Sequence, residues 1–246
     1  MTDDSPHQDG AALSALYDQY FSVVPASTPE LLDAAHALRY QVYCVEHAFE
    51  ERSSQTGERE VDSYDSHSVH AVLIYKPTNT VVGCVRLILP HEVAGVSHLP
   101  MRRLLSEEDR LRLDQYPITK TAEISRYAVS KAFRRREGEA LYPDAGFFDF
   151  PRKEARRLLP HMSVGLVRGV ARLAGEHGIE HVCAAMVPGL VRLLDRFGLS
   201  FERLGSVVDY HGARQPSIAA CGDLLAGMAD RHAEYYRIVA PDYHGR

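Results

Sequence analysis

The segment Ala122-Glu123-Ile124-Ser125-Arg126-Tyr127-Ala128-Val129 sets a carboxyl, a hydroxyl and a guanidinium among apolar residues. Period-2 alternation puts Glu123, Ser125 and Tyr127 on one strand face and Ile124, Arg126 and Ala128 on the other. Charges in a strand that otherwise looks buried are costly unless partnered. Two readings fit. Glu123 and Arg126 could form a structural ion-pair network, or Glu123 could accept a proton from a reacting amine while Arg126 fixes the local geometry. Asp62 and Asp65, in the run Asp62-Ser63-Tyr64-Asp65, form a second acidic pair, for which a solvated loop is the plain alternative. His67 and His70 invite a metal reading, but no third ligand accompanies them and no metal is expected. His177 and His181 have helical spacing, yet Gly178 and Ile179 interrupt it, so they form no site.

A basic run follows, Lys131-Ala132-Phe133-Arg134-Arg135-Arg136-Glu137-Gly138-Glu139-Ala140. The spacing Arg135-x-x-Gly138-x-Ala140 suits a pyrophosphate loop. Glycine lets the backbone approach, backbone N–H groups bind oxyanions, and the arginines add charge. A basic surface loop is the alternative.

Strands and helices must hold these groups. Tyr20 to Pro25 reads as a strand. Ser27-Thr28-Pro29-Glu30 opens a helix with a hydroxyl cap and an early proline. Leu31, Leu32, Ala35, Leu38 and Val42 recur at helical spacing along it. Residues 50–66 are polar and aperiodic, hence a loop. Val69 to Tyr75 and Thr80 to Leu89 form a hairpin about Lys76-Pro77-Thr78-Asn79. Arg102 to Leu113 is weakly helical, and Thr121 to Val129 is a strong strand. A helix over Arg152 to His177 ends at Gly178. The strand His181 to Val187, a helix from Pro188 to Phe197, and short strands at Ser200 to Leu204 and Val207 to Tyr210 follow. Short helices close the chain. This order predicts an α/β fold with one mixed sheet flanked by helices. The expected organisation is a flexible segment over 1–17, one domain over 18–218, and a helical extension over 219–246 packed on it.

Composition bounds the function. The 246 residues are 45% hydrophobic and 25% charged, with a formal net charge of −5. That excludes wholesale disorder and gives no basic field for nucleic acid. No apolar run approaches the ~18 residues a membrane span needs. The N-terminus has no signal-peptide h-region, so a cytoplasmic location is expected. Cys44, Cys84, Cys183 and Cys221 form no CxxC pair and read as reduced thiols or buried small residues.

The motifs fall in an order that resembles a known group. Arg39-Tyr40-Gln41-Val42-Tyr43 is similar to the R-x-x-V-F of acyl-homoserine-lactone synthases. Asp62-Ser63-Tyr64-Asp65 is similar to their D-x-Y-D, Gly83-Cys84-Val85-Arg86-Leu87 to their G-x-x-R-L, and Glu123-Ile124-Ser125-Arg126 to their E-x-S-R. Arg39–Glu50, Asp65–Ala71 and Tyr210–Pro216 resemble more closely the PEP-CTERM/exosortase-associated acyltransferases. Both groups resemble N-acyl amino acid synthases within the GNAT superfamily. The lactone synthases usually carry Trp about ten residues after the first Arg. Phe49 stands there, and the chain has no Trp.

The resemblance implies a single GNAT-like domain that moves a fatty acyl group from an acyl carrier protein or CoA thioester to a small amine, with an amino acid as the favoured acceptor. No permanently bound cofactor, nucleic acid or membrane span is implied. Glu123 and Arg126 would be catalytic. Asp62, Asp65, Arg39, Arg86 and Ser125 would bind or frame the acceptor. Arg134, Arg135, Arg136 and Gly138 would meet donor phosphate. The fold would splay its central strands, with the end of Thr121–Val129 and the start of His181–Val187 flanking the thioester. Two rivals remain: lactone synthesis from S-adenosylmethionine, and a non-catalytic acyl-carrier-binding module.

Overall fold

The computed structural model describes residues 6–47, 49–51, 55–91, 99–131, 158 and 162–240. Helix α1, Pro6–Tyr20, leads directly into strand β1, Phe21–Pro25. Residues 6–17, expected as a loose segment, are thus helical. Leu13 and Tyr17 are the reason: both are buried in the main core, and the Tyr17 hydroxyl donates to the Met162 carbonyl at 3.0 Å. Helix α2, Pro29–Arg39, starts as its residue types predict, with Thr28 Oγ1 accepting from Leu31 N–H and Pro29 in the first turn. It widens into a π-helical turn, Tyr40–Glu46.

Strands β2, Ser68–Tyr75, and β3, Thr80–Ile88, form the expected hairpin. A 3-10 turn, Pro100–Leu104, and helix α3, Glu107–Leu113, precede β4, Thr121–Val129. Then come α4, Val164–Glu176; β5, His181–Met186; α5, Pro188–Arg196; and the short strands β6, Glu202–Arg203, and β7, Val208–Asp209. Strand β8, Ala213–Ala220, and helices α6, Cys221–Arg231, and α7, Ala233–Val239, complete the described chain. Sequence periodicity missed β8, where Arg214, Gln215 and Pro216 interrupt any apolar alternation. The strand is nonetheless a full partner of β5, from His181↔Ala220 to Met186↔Gln215.

The sheet order is β1-β2-β3-β4-β5-β8-β6, with β7 paired to β8. One face carries the main core, in which residues of α1, α4 and α7 cover Leu73, Val85, Leu87 and Val182. Helix α4 lies close to the sheet because Gly165 and Gly169 present no side chain. A Cβ at Gly165 would stand 1.9 Å from the Tyr17 hydroxyl, and one at Gly169 would stand 2.8 Å from Ala71 Cβ. The other face carries α2 over Val72, Cys84 and Ala128, with Leu99, Met101, Leu105 and Leu113 beside it over Cys183 and Ile218.

The one parallel pair among the described residues, β4 with β5, is short. It joins Thr121, Ala122 and Glu123 to His181, Val182 and Cys183, and no ladder pairing continues beyond. The strands therefore part over the C-terminal halves of both. This corrects the expectation that the start of His181–Val187 flanks the gap: the start of that strand is the hydrogen-bonded part.

Candidate active site

The centre of the site is a bulge in β4. Arg86 pairs with Ser125 and Cys84 with Ala128, so Arg126 and Tyr127 together oppose the single residue Val85. Arg126 takes the left-handed conformation at φ 50°, which costs a non-glycine residue about 1–3 kcal/mol. The bulge resets the alternation. Glu123, Ser125 and Ala128 share the α2 face, whereas Tyr127 turns to the opposite face and its hydroxyl donates to the Ser163 carbonyl. The Arg126 guanidinium reaches the α2 face too. The expectation that Glu123 and Arg126 lie on opposite faces is corrected, because simple alternation assumes an unbroken ladder.

Three arginines gather on that face, and each is held by carboxylates. Arg39, fully buried at the end of α2, donates from Nε to Glu60 at 2.6 Å and from Nη1 and Nη2 to the two oxygens of Asp65 at 2.6 and 3.0 Å. Arg86 donates from Nη1 to Asp62 at 2.6 Å and to Asp65 at 3.0 Å, and from Nε to Ser125 Oγ at 2.9 Å. Arg126 donates to both oxygens of Glu60, at 3.0 and 2.8 Å, and to Glu50 at 3.0 Å and Asp62 at 3.1 Å. Its Cζ also stands 5.1 Å from the Tyr43 ring centre. Such bidentate pairs fix both position and orientation.

The electrostatics follow from the pairing. Burial opposes ionisation of Glu60, but hydrogen bonds from Arg126 and Arg39 outweigh it and hold its pKa at about 2. Burial likewise opposes ionisation of Asp65, yet contacts with His70, Arg39 and Arg86 keep it well below the usual carboxylate range. Burial lowers the pKa of His70 and leaves it neutral beside them. The ring atoms of His36 and His70 and a carboxylate oxygen of Asp65 lie within 4.8 Å of one another. His67, which the sequence pairs with His70, is not part of this group. The cation there is a guanidinium: Arg39 Nη1 lies 2.6 Å from Asp65 Oδ1 and 3.1 Å from His70 Nε2.

Glu123 stands apart from this network. It is 5% exposed and sits in the last paired position before β4 and β5 separate. Its Oε2 accepts the Met101 N–H at 2.8 Å, and no arginine bonds to it among the described residues. Burial raises its pKa to about 7, against the Met101 hydrogen bond and the charges of Arg86 and Arg126. The result is a buried carboxyl poised to exchange a proton near neutral pH, at the point where the β4–β5 pairing ends. Its neighbour across the sheet, Cys183, is a buried thiol whose pKa burial pushes well above the usual value.

The structure thus brings Arg39, Asp62, Asp65, Arg86, Glu123, Ser125 and Arg126 to one face. Arg134, Arg135, Arg136 and Gly138 lie outside the described residues. Sequence reasoning missed Glu60 and Glu50. Counting would have pointed to them, since three strand and helix arginines need more carboxylate than Asp62 and Asp65 supply.

Residues 38–143 match the acetyltransferase (GNAT) domain family. Solved structures share the fold. The acyl-homoserine-lactone synthase LasI superposes with a TM-score of 0.55 at 18% identity, over 82% of this chain and 89% of its own. FeeM, an N-acyl amino acid synthase from uncultured soil microbes, gives 0.58 at 14% identity, over 87% and 97%. The CoA-dependent acyl-homoserine lactone synthase BjaI gives 0.54 at 19% identity, over 86% and 88%. No curated protein sequence matches the chain. The matched segment is similar to the GNAT domain, and the superpositions show that the chain shares the fold of these synthases.

Proposed function

We propose that this chain transfers an acyl group from a phosphopantetheine thioester to the amine of a small acceptor, an amino acid, giving an N-acyl amino acid. The observation that carries the reading is Glu123, a buried carboxyl with a pKa of about 7 where β4 and β5 part. In this scheme the amine attacks the thioester carbonyl, a C–N bond forms, the C–S bond breaks, and the thiol leaves. Glu123 accepts the amine proton, directly or through one water. Backbone N–H groups of β5 stabilise the oxyanion. Asp62, half-exposed and shared by Arg86 and Arg126, faces the acceptor. Asp65, Arg39 and Glu60 are consumed in mutual bonds and act as framework. Ser125 is held by Arg86, and Arg126 positions the loop carboxylates. Arg134–Arg136 and Gly138 meet donor phosphate on CoA or on an acyl carrier protein. The exosortase-like stretches of the sequence belong to the same reading.

FeeM shares this fold with the lactone synthases, so the fold alone does not choose an acceptor. Phe49 in place of the lactone synthases' Trp favours an amino acid over S-adenosylmethionine. The test is mass spectrometry of products from hexadecanoyl-CoA or a hexadecanoyl carrier protein, offered L-amino acids or S-adenosylmethionine. An amide of an amino acid is the expected product. A lactone would replace this reading with the alternative, and thioester binding with no turnover would favour a non-catalytic module.

A further inference from the structure

Near Glu123 two arginines meet no carboxylate among the described residues: Arg103, exposed and 5.8 Å from the Tyr64 ring centre, and Arg214, which is set deeper. Arg39, Arg86 and Arg126 are each saturated by carboxylates, whereas Arg214 meets none among the described residues. Its only hydrogen bond there goes from Nη1 to the carbonyl of its own neighbour, Ala213, at 3.1 Å. It is half-buried rather than free in solvent.

Strand register sets its direction. Glu123 pairs with Cys183, and Cys183 with Ile218, so these three side chains share a face. Arg214 precedes Ile218 by four residues on β8 and therefore points to that same face, ~13 Å further along the strand. This displacement runs toward Met186 and Gln215, the end where β4 and β5 have parted. Arg214 thus lies on the face of Glu123, displaced toward the end where β4 and β5 have parted.

Its surroundings are built from separate parts of the chain. Arg214 Cζ lies 5.8 Å from the Phe49 ring centre. Phe49 stacks on His47 with centroids 5.1 Å apart and planes at 9°, and meets His211 at 6.2 Å. It also meets Tyr43 at 6.4 Å, the ring that lies under Arg126, and its neighbour Glu50 bonds to Arg126. The β7–β8 turn that presents His211 is tightly shaped, with His211 and Gly212 both at positive φ and Gly212 N–H bonded to Asp209. Tyr64 lies within electrostatic reach of both Glu123 and Tyr210.

We propose that Arg214, stacked on Phe49, binds a carboxylate carried by the amine acceptor, so that Glu123 and Arg214 take the two ends of one zwitterion. This rests on the acyl-transfer reading above. A guanidinium offers a planar fork that matches a carboxylate, and stacking on an aromatic ring holds that fork in place before substrate arrives. Amino acids and S-adenosylmethionine both carry this group, and the choice of acceptor in the assay separates them.

The experiment uses the purified full chain, Arg214→Gln and Arg214→Lys, with hexadecanoyl-CoA and a hexadecanoyl carrier protein as donors. The acceptors are the L-amino acids, S-adenosylmethionine, and the carboxamide of whichever amine is used best. Wild type should prefer the free acid to its carboxamide. Arg214→Gln should raise KM for the acid ~10–100-fold, as expected for loss of a charge-assisted bond of roughly 1.5–3 kcal/mol, and should leave donor KM, carboxamide KM and melting temperature unchanged. Arg214→Lys should recover part of the loss. An Arg214→Gln enzyme that keeps the wild-type preference for acid over carboxamide overturns the carboxylate site while leaving acyl transfer standing. A wild type that acylates amines with no preference for a carboxylate does the same. A wild type that acylates no amine overturns the functional reading and the carboxylate site with it.

Discussion

Glu123 and Arg126 lie three residues apart on β4 and face the same side of the sheet, yet they are not an ion pair. The β4 bulge sends the Arg126 guanidinium to Glu60, Glu50 and Asp62, while the Glu123 carboxyl accepts a backbone N–H from Met101. The bulge therefore separates framework charge from a carboxyl left to titrate.

Stability should record this separation in its pH dependence. The folded pKa of Glu123 is raised to about 7 from the ordinary 4.5, so between these values the native state binds more protons than the unfolded state. Stability from this group is full at low pH and falls as pH rises through that window. Glutamine mimics the neutral carboxyl. Melting curves should show Glu123→Gln gaining on wild type as pH rises from about 5 to 8. A difference that stays flat, or runs the other way, would contradict the burial assigned to Glu123.

Glu60 should behave oppositely. Its folded pKa of about 2 lies below the ordinary 4.5, so its contribution is present above the unfolded value and is lost as pH falls toward 2. Glu60→Gln strips a shared partner from two buried guanidinium groups, and breaking a buried pair costs about 3–5 kcal/mol. Urea unfolding at pH 7 should show a loss of that size. A loss under 1 kcal/mol would mean the network is far more solvated than its geometry indicates.

The close seat of α4 gives a packing prediction. Gly165→Ala would force a methyl into the place of the Tyr17 hydroxyl, breaking its bond to the Met162 carbonyl. Overpacking of this kind costs about 1–3 kcal/mol, and Tyr17→Phe in the same chain should recover part of it by vacating the space. Gly175→Ala, where nothing lies within 4 Å, is the control and should be neutral or slightly stabilising.

Much of this was readable from residue patterns. The Thr28 cap, the β2–β3 hairpin, and the strands β4 and β5 all follow from local spacing and turn chemistry. The resemblance of four short motifs gathered most of the site before any geometry. What stayed hidden shares a cause: partners distant in the chain. Glu60 sits in an aperiodic polar loop, and only the arginines of α2, β3 and β4 give it meaning. Strand β8 carries Arg214, Gln215 and Pro216, which show no strand pattern until β5 is seen beside them. The bulge at Arg126 breaks alternation by one residue, a defect that period-2 reading cannot register.

The thiols bear on mechanism. Cys44, Cys84 and Cys183 are buried, and burial raises Cys84 to about 12, leaving little thiolate at neutral pH. Transfer should be direct. Cys183→Ala, beside Glu123, should keep turnover within a few-fold, and intact-protein mass spectra with donor alone should show no acyl adduct. A stable adduct on any cysteine would establish a two-step route instead.

The proposed donor contacts of Arg134–Arg136 carry their own test. Replacing all three with Gln should raise KM for the thioester more than for the acceptor and flatten its salt dependence, because exposed charges are screened within ~8–10 Å at physiological ionic strength. An unchanged donor KM and salt response would reduce the run to a solvated loop.

The most direct test of the central claim is the pH dependence of kcat/KM for amide formation, in wild type and Glu123→Gln. Wild type should rise with pH through an inflection near 7, set by Glu123, with any later inflection belonging to the amine. Glu123→Gln should fold, lose that inflection, and turn over about 10²–10⁴-fold more slowly, the range of general-base catalysis. A folded Glu123→Gln protein with wild-type turnover and an unchanged profile would remove Glu123 from the chemistry.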